Sequence, residues 1–308
     1  MGYQEFICAV EKKMNQKLEG GVTASLYTAV KNNGKVKKGM LMEAPGINIS
    51  PTIYLEEFYE RFSKGESLDV IVEDILNFYQ TIRCDKSWNA SKIERYDLIR
   101  DKIVFKLIHT EKNKELLESI PHTELLDLSI VFYALLDMNQ QGTATMTVCN
   151  QHLQSWNVTK EELFALACEN VKRLLPAQLF TMQQAVDEIL HSASGERKNL
   201  LEGAQKADGD FMYVLSNPIR SLGAACIAYP EVLDMAGKVL EDDYYVLPSS
   251  VHEVVLVPES KGMEPDEMDA MVAEINETQV EEEEILSNHA YIYERKSRRL
   301  TMRKCVNC

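Results

Sequence analysis

The stretch DDYYVLPSSVHEVVLVPE, residues 242–259, holds two β-prone runs, Tyr244–Leu247 and Glu253–Val257, on either side of a polar turn, Pro248–Val251. Tyr, Val and Leu suit a half-buried pleated surface, Pro-Ser-Ser supplies turn chemistry, and Pro258 closes the second run. A β-hairpin is therefore predicted here. A helix follows from Pro265, with Met268, Met271, Val272 and Ile275 at inward spacing. The same order, hairpin then helix, is read over 126–174 and 211–240, as it is over 243–277. No residue-level repeat accompanies it.

In the earlier unit, Leu125–Leu136 is an apolar run in which Val131, Phe132 and Tyr133 favour a strand, although a buried helix shows the same lack of alternation. Thr143–Cys149 pairs back on it. Thr159 and Glu162 have the spacing of a capping box and open a helix through Leu174. Lys102–His109 reads as a strand, Lys112–Ser119 as a short helix, and Thr181–His191 as a further helix. In the middle unit, Met212–Ser216 and Ala224–Tyr229 are predicted strands around Asn217-Pro218. Ser192–Gly209, rich in Ser, Gly, Lys and Glu, reads as a linker or exposed loop. Ala290–Glu294 is a last strand.

Towards the N-terminus, Phe6, Ile7, Val10, Met14 and Leu18 fall at helical spacing. Ala24–Val30 and Lys35–Met42 form a hairpin around Asn32-Asn33-Gly34, since Asn and Gly accept positive φ. Lys31, Lys35, Lys37 and Lys38 make this hairpin basic, as a solvated strand edge would be. Ser50-Pro51 predicts a helix start, and Ser67 caps a second helix that packs with the first as a pair. The fold class expected is α+β: a mainly antiparallel sheet built from hairpins with helices covering it, plus the N-terminal hairpin and helical pair. The expected divisions are 1–124, 125–294 and a basic, mobile tail, 295–308.

Composition narrows the partners. The 308 residues are 45% hydrophobic and 26% charged, with a formal net charge of −15, values that suit a folded acidic protein. Such a charge opposes nucleic acid and anionic membranes. The first residues carry no basic start before an apolar run, so no secretory leader is expected, and no stretch approaches membrane-spanning length. The cysteines at 8, 84, 149, 168, 226, 305 and 308 are scattered and odd in number, as expected of reduced thiols in a cytoplasmic chain. Glu264–Glu284 holds ten acidic residues and no Lys or Arg, whereas 295–304 holds six basic ones. A solvated helix followed by a mobile tail accounts for both.

The specific fingerprints of catalysis are absent: no Walker loop, GxGxxG, GxSxG or HExxH. Ser249, Ser250, His252 and Glu253 share the organising turn and are the candidates for nucleophilic catalysis, with Asn276, Gln279 and His289 as later contributors. Alternation along a strand works against this, because His252 and Glu253 should point to opposite faces. Asp266, Glu294 and Lys296 have the residue types of a metal nuclease, yet Pro265-Asp266 is also an ordinary helix start. Cys305 and Cys308 form a CxxC, half of a tetrahedral zinc site with no second pair. Asn150, His152 and Trp156 could line a pocket, or serve packing and backbone bonds. No cofactor follows from these residues.

Several segments together carry a family resemblance: ISPTIYLEEFYERFSKGESLDVIVEDI (49–75), KIVFKLIHTEKNKELLESIPH (102–122), LDLSIVFYALL (126–136), MYVLSNPIRSLGAACIAYPEVL (212–233), residues 242–259, and INETQVEEEEILSNHAYIY (275–293). They resemble the domain of unknown function 5688 family of Gram-positive gut anaerobes, over roughly residues 20–294, which implies a bacterial source and carries no activity. HLQSWNVTKEELFALACENV (152–171) is also similar to the uncharacterised YtpQ-like proteins. Two functions stay open from sequence. One is a non-catalytic interaction or regulatory module that binds protein or a small molecule. The other is a small-molecule hydrolase or transferase centred on Ser249–Glu253.

Overall fold

The computed structural model describes residues 1–47, 50–83, 95–139, 142–191, 199–203, 211–261 and 264–302. The chain divides into two compact units, one of residues 1–93 and 138–143, the other of residues 94–137 and 144–308.

The smaller unit sets helices α1 (Tyr3–Lys17), α2 (Glu56–Ser63) and α3 (Leu68–Ile82) with a sheet of β1 (Thr23–Val30), β2 (Val36–Glu43) and β3 (Thr52–Tyr54). The α1 stripe Phe6, Ile7, Val10 and Met14 is buried with Met40 and Met42 of β2 and with Ile71, Val72 and Ile75 of α3. Tyr59 and Phe62 of α2 close this core against Phe6, with ring centroids 5.3 and 5.2 Å away. The aromatic stripe is thus core. Asn33 and Gly34 take positive φ at the β1–β2 turn, and the Ser67 hydroxyl caps α3 by accepting from the Val70 N–H. The helix expected from Ser50-Pro51 is instead strand β3, and α2 begins only at Glu56. The open side of β2 takes up this segment: Met42 N–H donates to Pro51 and Leu55 N–H to Lys38. Gly39 permits that approach, since a Cβ there would lie 2.8 Å from the Ile53 carbonyl oxygen.

The larger unit contains two sheets. In the first, β6 (Leu128–Asn139) is central, with β4 (Ile103–His109) on one side and β5 (His122–Leu125) and β7 (Gly142–Thr147) as further partners. Leu126 at φ 59° turns β5 into β6. Helices α4 (Tyr96–Ile99), α5 (Lys114–Ser119), α6 (Asn150–Trp156) and α7 (Lys160–Leu174) accompany it. The predicted capping box at Thr159 and Glu162 opens α7. Buried Asn170 of α7 donates to the carbonyls of Arg100 and Ile103, both at 2.8 Å, and so fastens the helix to the start of β4.

The second sheet has the order β13-β12-β10-β11-β9-β8, every neighbouring pair antiparallel. Its strands are β8 (Gln178–Thr181), β9 (Tyr213–Ser216), β10 (Tyr244–Leu247), β11 (Val254–Pro258), β12 (Tyr291–Glu294) and β13 (Arg299–Met302), with helices α8 (Met182–His191), α9 (Val232–Leu240) and α10 (Pro265–Thr278). The α+β class holds, and β10–β11 is the predicted hairpin. Met268 and Val272 of α10 pack on Tyr245, Leu247 and Val257.

Two expectations fail in this unit, and the linker is described only in part. Ala224–Tyr229 is not a strand, and 211–240 is no hairpin: Gly223–Ala228 is a buried 3-10 segment. Its small residues sit where a Cβ on Gly223 would come within 2.6 Å of the His252 carbonyl oxygen, too close for a strand with side chains. The basic 295–302 stretch contributes β13, paired with β12 from Tyr291↔Met302 to Glu294↔Arg299. Within the linker read over 192–209, Asn199 accepts from the Leu179 N–H and Leu200 is buried; residues 192–198 and 204–209 lie outside the described residues. The thiols of Cys168 and Cys226 are buried as expected, and burial pushes Cys226 up to about 12, whereas Cys8 is exposed.

One carboxylate ties the two sheets of this unit. Asp127, in the β5–β6 turn, accepts from the Ser287 hydroxyl at 2.6 Å and from the Tyr291 hydroxyl at 2.5 Å. Tyr291 is fully buried, and burial together with Asp127 pushes its hydroxyl well above the ordinary tyrosine range. Asp127→Ala removes two charge-assisted bonds and orphans a buried hydroxyl, so it should cost about 2–4 kcal/mol. Urea unfolding of the variant against the parent chain measures this, and a loss below about 0.5 kcal/mol would place the tie elsewhere.

Candidate functional site

The turn between β10 and β11 is gripped by the segment that follows α10. Leu286 N–H donates to the Ser249 carbonyl and Ser287 N–H to that of Pro248, both at 3.1 Å, while Val251 N–H donates to the Glu284 carbonyl at 2.8 Å. Ser250 and Ile285 form an antiparallel bridge. From the other side, Ala224 N–H donates to the Val251 carbonyl at 3.2 Å.

His252 is fully engaged within this grip. Its Nδ1 accepts from the Leu222 N–H at 3.3 Å, so the ring proton sits on Nε2, which lies 2.9 Å from a carboxylate oxygen of Glu284. Its carbonyl accepts from the Ser216 hydroxyl at 2.8 Å. The Ser250 hydroxyl oxygen accepts from the His252 main-chain N–H at 3.1 Å, a local turn bond rather than an approach to the imidazole. Glu253 points elsewhere, 3.9 Å from Arg220, whose guanidinium lies over the Phe180 ring. The two side chains diverge as expected, although both residues precede β11 and lie outside any strand. A base for serine needs a ring nitrogen with a free lone pair facing the hydroxyl, and Nδ1 is already spent on Leu222.

The later candidates are gathered by the same segment but serve it individually. Buried Asn276 donates to the Ser287 carbonyl at 2.9 Å and to Asn288 at 2.7 Å. His289 Nδ1 lies 3.3 Å from Asp269, which also accepts from the Ala290 N–H at 2.7 Å. Gln279 ends α10 through its main-chain N–H. Of the nuclease set, Asp266 lies in the first turn of α10, Glu294 accepts from the Ser297 hydroxyl, and Lys296 lines a separate cleft. Among the described residues no group of three or more His, Cys, Asp or Glu is arranged to hold a metal ion, and no helix is long and apolar enough to cross a membrane. Cys305 and Cys308 lie outside the described residues. Sequence reasoning passed over Glu284, the partner of His252, because it stands in an acidic run that looked like solvated surface.

His152 also serves the backbone: Nδ1 accepts from the Cys149 N–H at 3.0 Å, and the ring stacks on Trp156 with centroids 5.2 Å apart. Burial lowers its pKa, and burial likewise lowers that of His109, whose Nδ1 accepts from the Lys112 N–H.

Two predictions follow from these bonds. His252→Ala should cost about 1–3 kcal/mol in urea unfolding, whereas Ser249→Ala should stay within about 0.5 kcal/mol; the reverse order would contradict a structural role for the histidine. His109 and His152 stay neutral in the fold more readily than in the unfolded chain. Their stabilisation is present above the unfolded histidine pKa of about 6.5 and is lost as pH falls through their lowered folded values. The melting temperature should therefore drop between about pH 7 and pH 5.5, and His152→Asn should flatten that slope. An unchanged slope would exclude His152 as a contributor.

No curated protein and no solved structure matches the chain. Residues 3–295 match the family of unknown function DUF5688, and the chain belongs to that family.

Proposed function

We propose that the protein is a non-catalytic interaction module whose partner adds an extended acidic segment to the free edge of β1. The observation that carries this reading is the uneven protection of that edge. Odd residues of β1 face β2, so the main-chain groups of Ala24, Leu26, Thr28 and Val30 point outward. Helix α1 blocks the first half: Asn15 both donates to and accepts from Ala24, and Glu11 accepts from the Leu26 N–H. At Thr28 and Val30 no such side chain stands among the described residues.

A β-prone, uncharged edge of this kind is a template for another strand. Its side chains support docking, since Tyr27, Val30 and the cross-strand neighbour Val36 are 46, 73 and 54% exposed. Lys31, Lys35, Lys37 and Lys38 stand close in sequence at the β1–β2 turn, with Lys31 over the Tyr54 ring and Lys38 donating to Gln4, a local positive charge within a chain of net charge −15 that complements carboxylates. The engagement of His252 and Ser250 in turn bonds supports the absence of catalysis at the organising turn.

Thr28→Pro tests the reading cleanly. It deletes one outward N–H and leaves the β1–β2 ladder untouched, because Thr28 does not bond to β2. Selection from a displayed random-peptide library on the full chain should enrich acidic segments with alternating β-branched residues. Their affinity should fall at least tenfold for Thr28→Pro. Peptides that are basic, or that bind the variant equally well, would refute the proposal. So would a dimer of the parent chain that Thr28→Pro abolishes, which would make a second copy the partner.

A further inference from the structure

In the larger unit, Lys238, Arg295, Lys296 and Arg298 line an open cleft of about 430 Å³ together with Asp234 and Asp243. Asp234 and Lys238 stand on α9, Asp243 on its connection to β10, and the other three in the turn joining β12 to β13. Four cations against two carboxylates leave a local excess of positive charge, in a chain whose net charge is −15.

This arrangement is built by the fold. The β12–β13 ladder closes at Glu294↔Arg299, which forces residues 295–298 into a tight turn with Arg298 in the left-handed region at φ 52°. Arg295 N–H donates to Asp243 at 2.9 Å and pins the start of that turn. The Arg295 stem lies against Gly237 of α9, where a Cβ would come 3.0 Å from Cγ. Asp234 accepts from Lys238 at 2.8 Å and lies 3.4 Å from Nε of Arg298. Those contacts, the Lys238 hydrogen bond foremost, hold its carboxyl below the usual range. Neither Arg295 nor Lys296 has a side-chain hydrogen bond or ion pair among the described residues.

We propose that this cleft binds a doubly charged phosphoryl anion, free or carried by a small molecule. Guanidinium groups match phosphoryl oxygens in pairs, and an ammonium adds a point charge beside them. The cleft volume is that of a small-molecule site. The acidic remainder of the chain repels a nucleic-acid backbone, which favours a small ligand over a polymer. Asp234 offsets part of the positive charge of Lys238 and Arg298, so a ligand with more than one negative charge is favoured over a monoanion.

Calorimetric titration of the full chain at low ionic strength, with inorganic phosphate and with pyrophosphate as probes, tests the site. One-to-one saturation by at least one probe is expected. Lys296→Gln with Arg298→Gln, and separately Arg295→Gln, should each weaken binding at least tenfold. Asp234→Asn should strengthen it several-fold, and Lys31→Gln with Lys37→Gln on the β1–β2 hairpin should leave it unchanged. Thermal melts confirm that each variant folds, and the single Arg295→Gln variant keeps the test open if the double one does not. Absence of saturable binding would overturn the proposal. Equal weakening by the hairpin variant would reduce it to diffuse electrostatics, and tighter binding of a single-stranded oligonucleotide through the same residues would assign the cleft to a polymer.

Discussion

The carboxylate of Asp127 is the constraint from which most of the larger unit follows. It lies in a two-residue turn of the first sheet and accepts from the hydroxyls of Ser287, in the segment leading into β12, and of Tyr291, at the start of β12 in the second. A buried tyrosine hydroxyl needs a partner, and a carboxylate with two bonds is a strong one. Once Ser287 is fixed, the segment running back to Glu284 lies alongside the β10–β11 turn, and its main chain pairs with Pro248, Ser249 and Val251. Glu284 then faces His252, and His252 reaches Leu222. A polar chain of contacts thus runs from one sheet through the organising turn to the 3-10 segment.

That chain explains why a serine, a histidine and a carboxylate in one neighbourhood do not make a nucleophile. Ser250 and His252 each accept from a main-chain N–H that would otherwise be orphaned in a half-buried turn, and the Glu284 carboxylate is taken up by the imidazole. Releasing His252 for proton transfer would leave the Leu222 N–H without an acceptor and would disturb the grip of residues 284–287. Catalytic constellations leave at least one lone pair aimed at a reactant position. Here the lone pair is aimed at the backbone.

Local chemistry was legible in the sequence where its cause was local. Ser67 and the Thr159–Glu162 pair cap helices because side-chain oxygens three residues from a free N–H have few other choices. Tyr244–Leu247 and Val254–Pro258 pair because both runs are β-prone and a short turn joins them. What failed was decided at a distance. Thr52–Tyr54 became a strand because β2 offered an open side, overriding the helix signal of Ser50-Pro51. Ala224–Ala228 became a 3-10 segment because Gly223 wedges against Ser216 and His252. Arg299–Met302, read as part of a tail, found the free edge of β12. Of the candidate site, Ser250 and His252 were visible, but Glu284 and Asp127 were not, since neither lies near the turn in sequence.

The distribution of charge carries the last step. A chain at −15 repels most anionic partners at long range, so any anion or acidic segment it takes up must be drawn by local geometry. Screening confines the repulsion to about 8–10 Å at physiological salt, a distance shorter than a small domain is wide. Within that radius the lysines around the β1–β2 turn and the arginines of the β12–β13 turn dominate. Both are hairpin turns in which several basic residues stand close in sequence, so both positive patches arise from the same device. On the two proposals above, the acidic remainder would act as a filter, favouring ligands whose charge is concentrated enough to be held in a small patch over long polyanions whose charge extends past it.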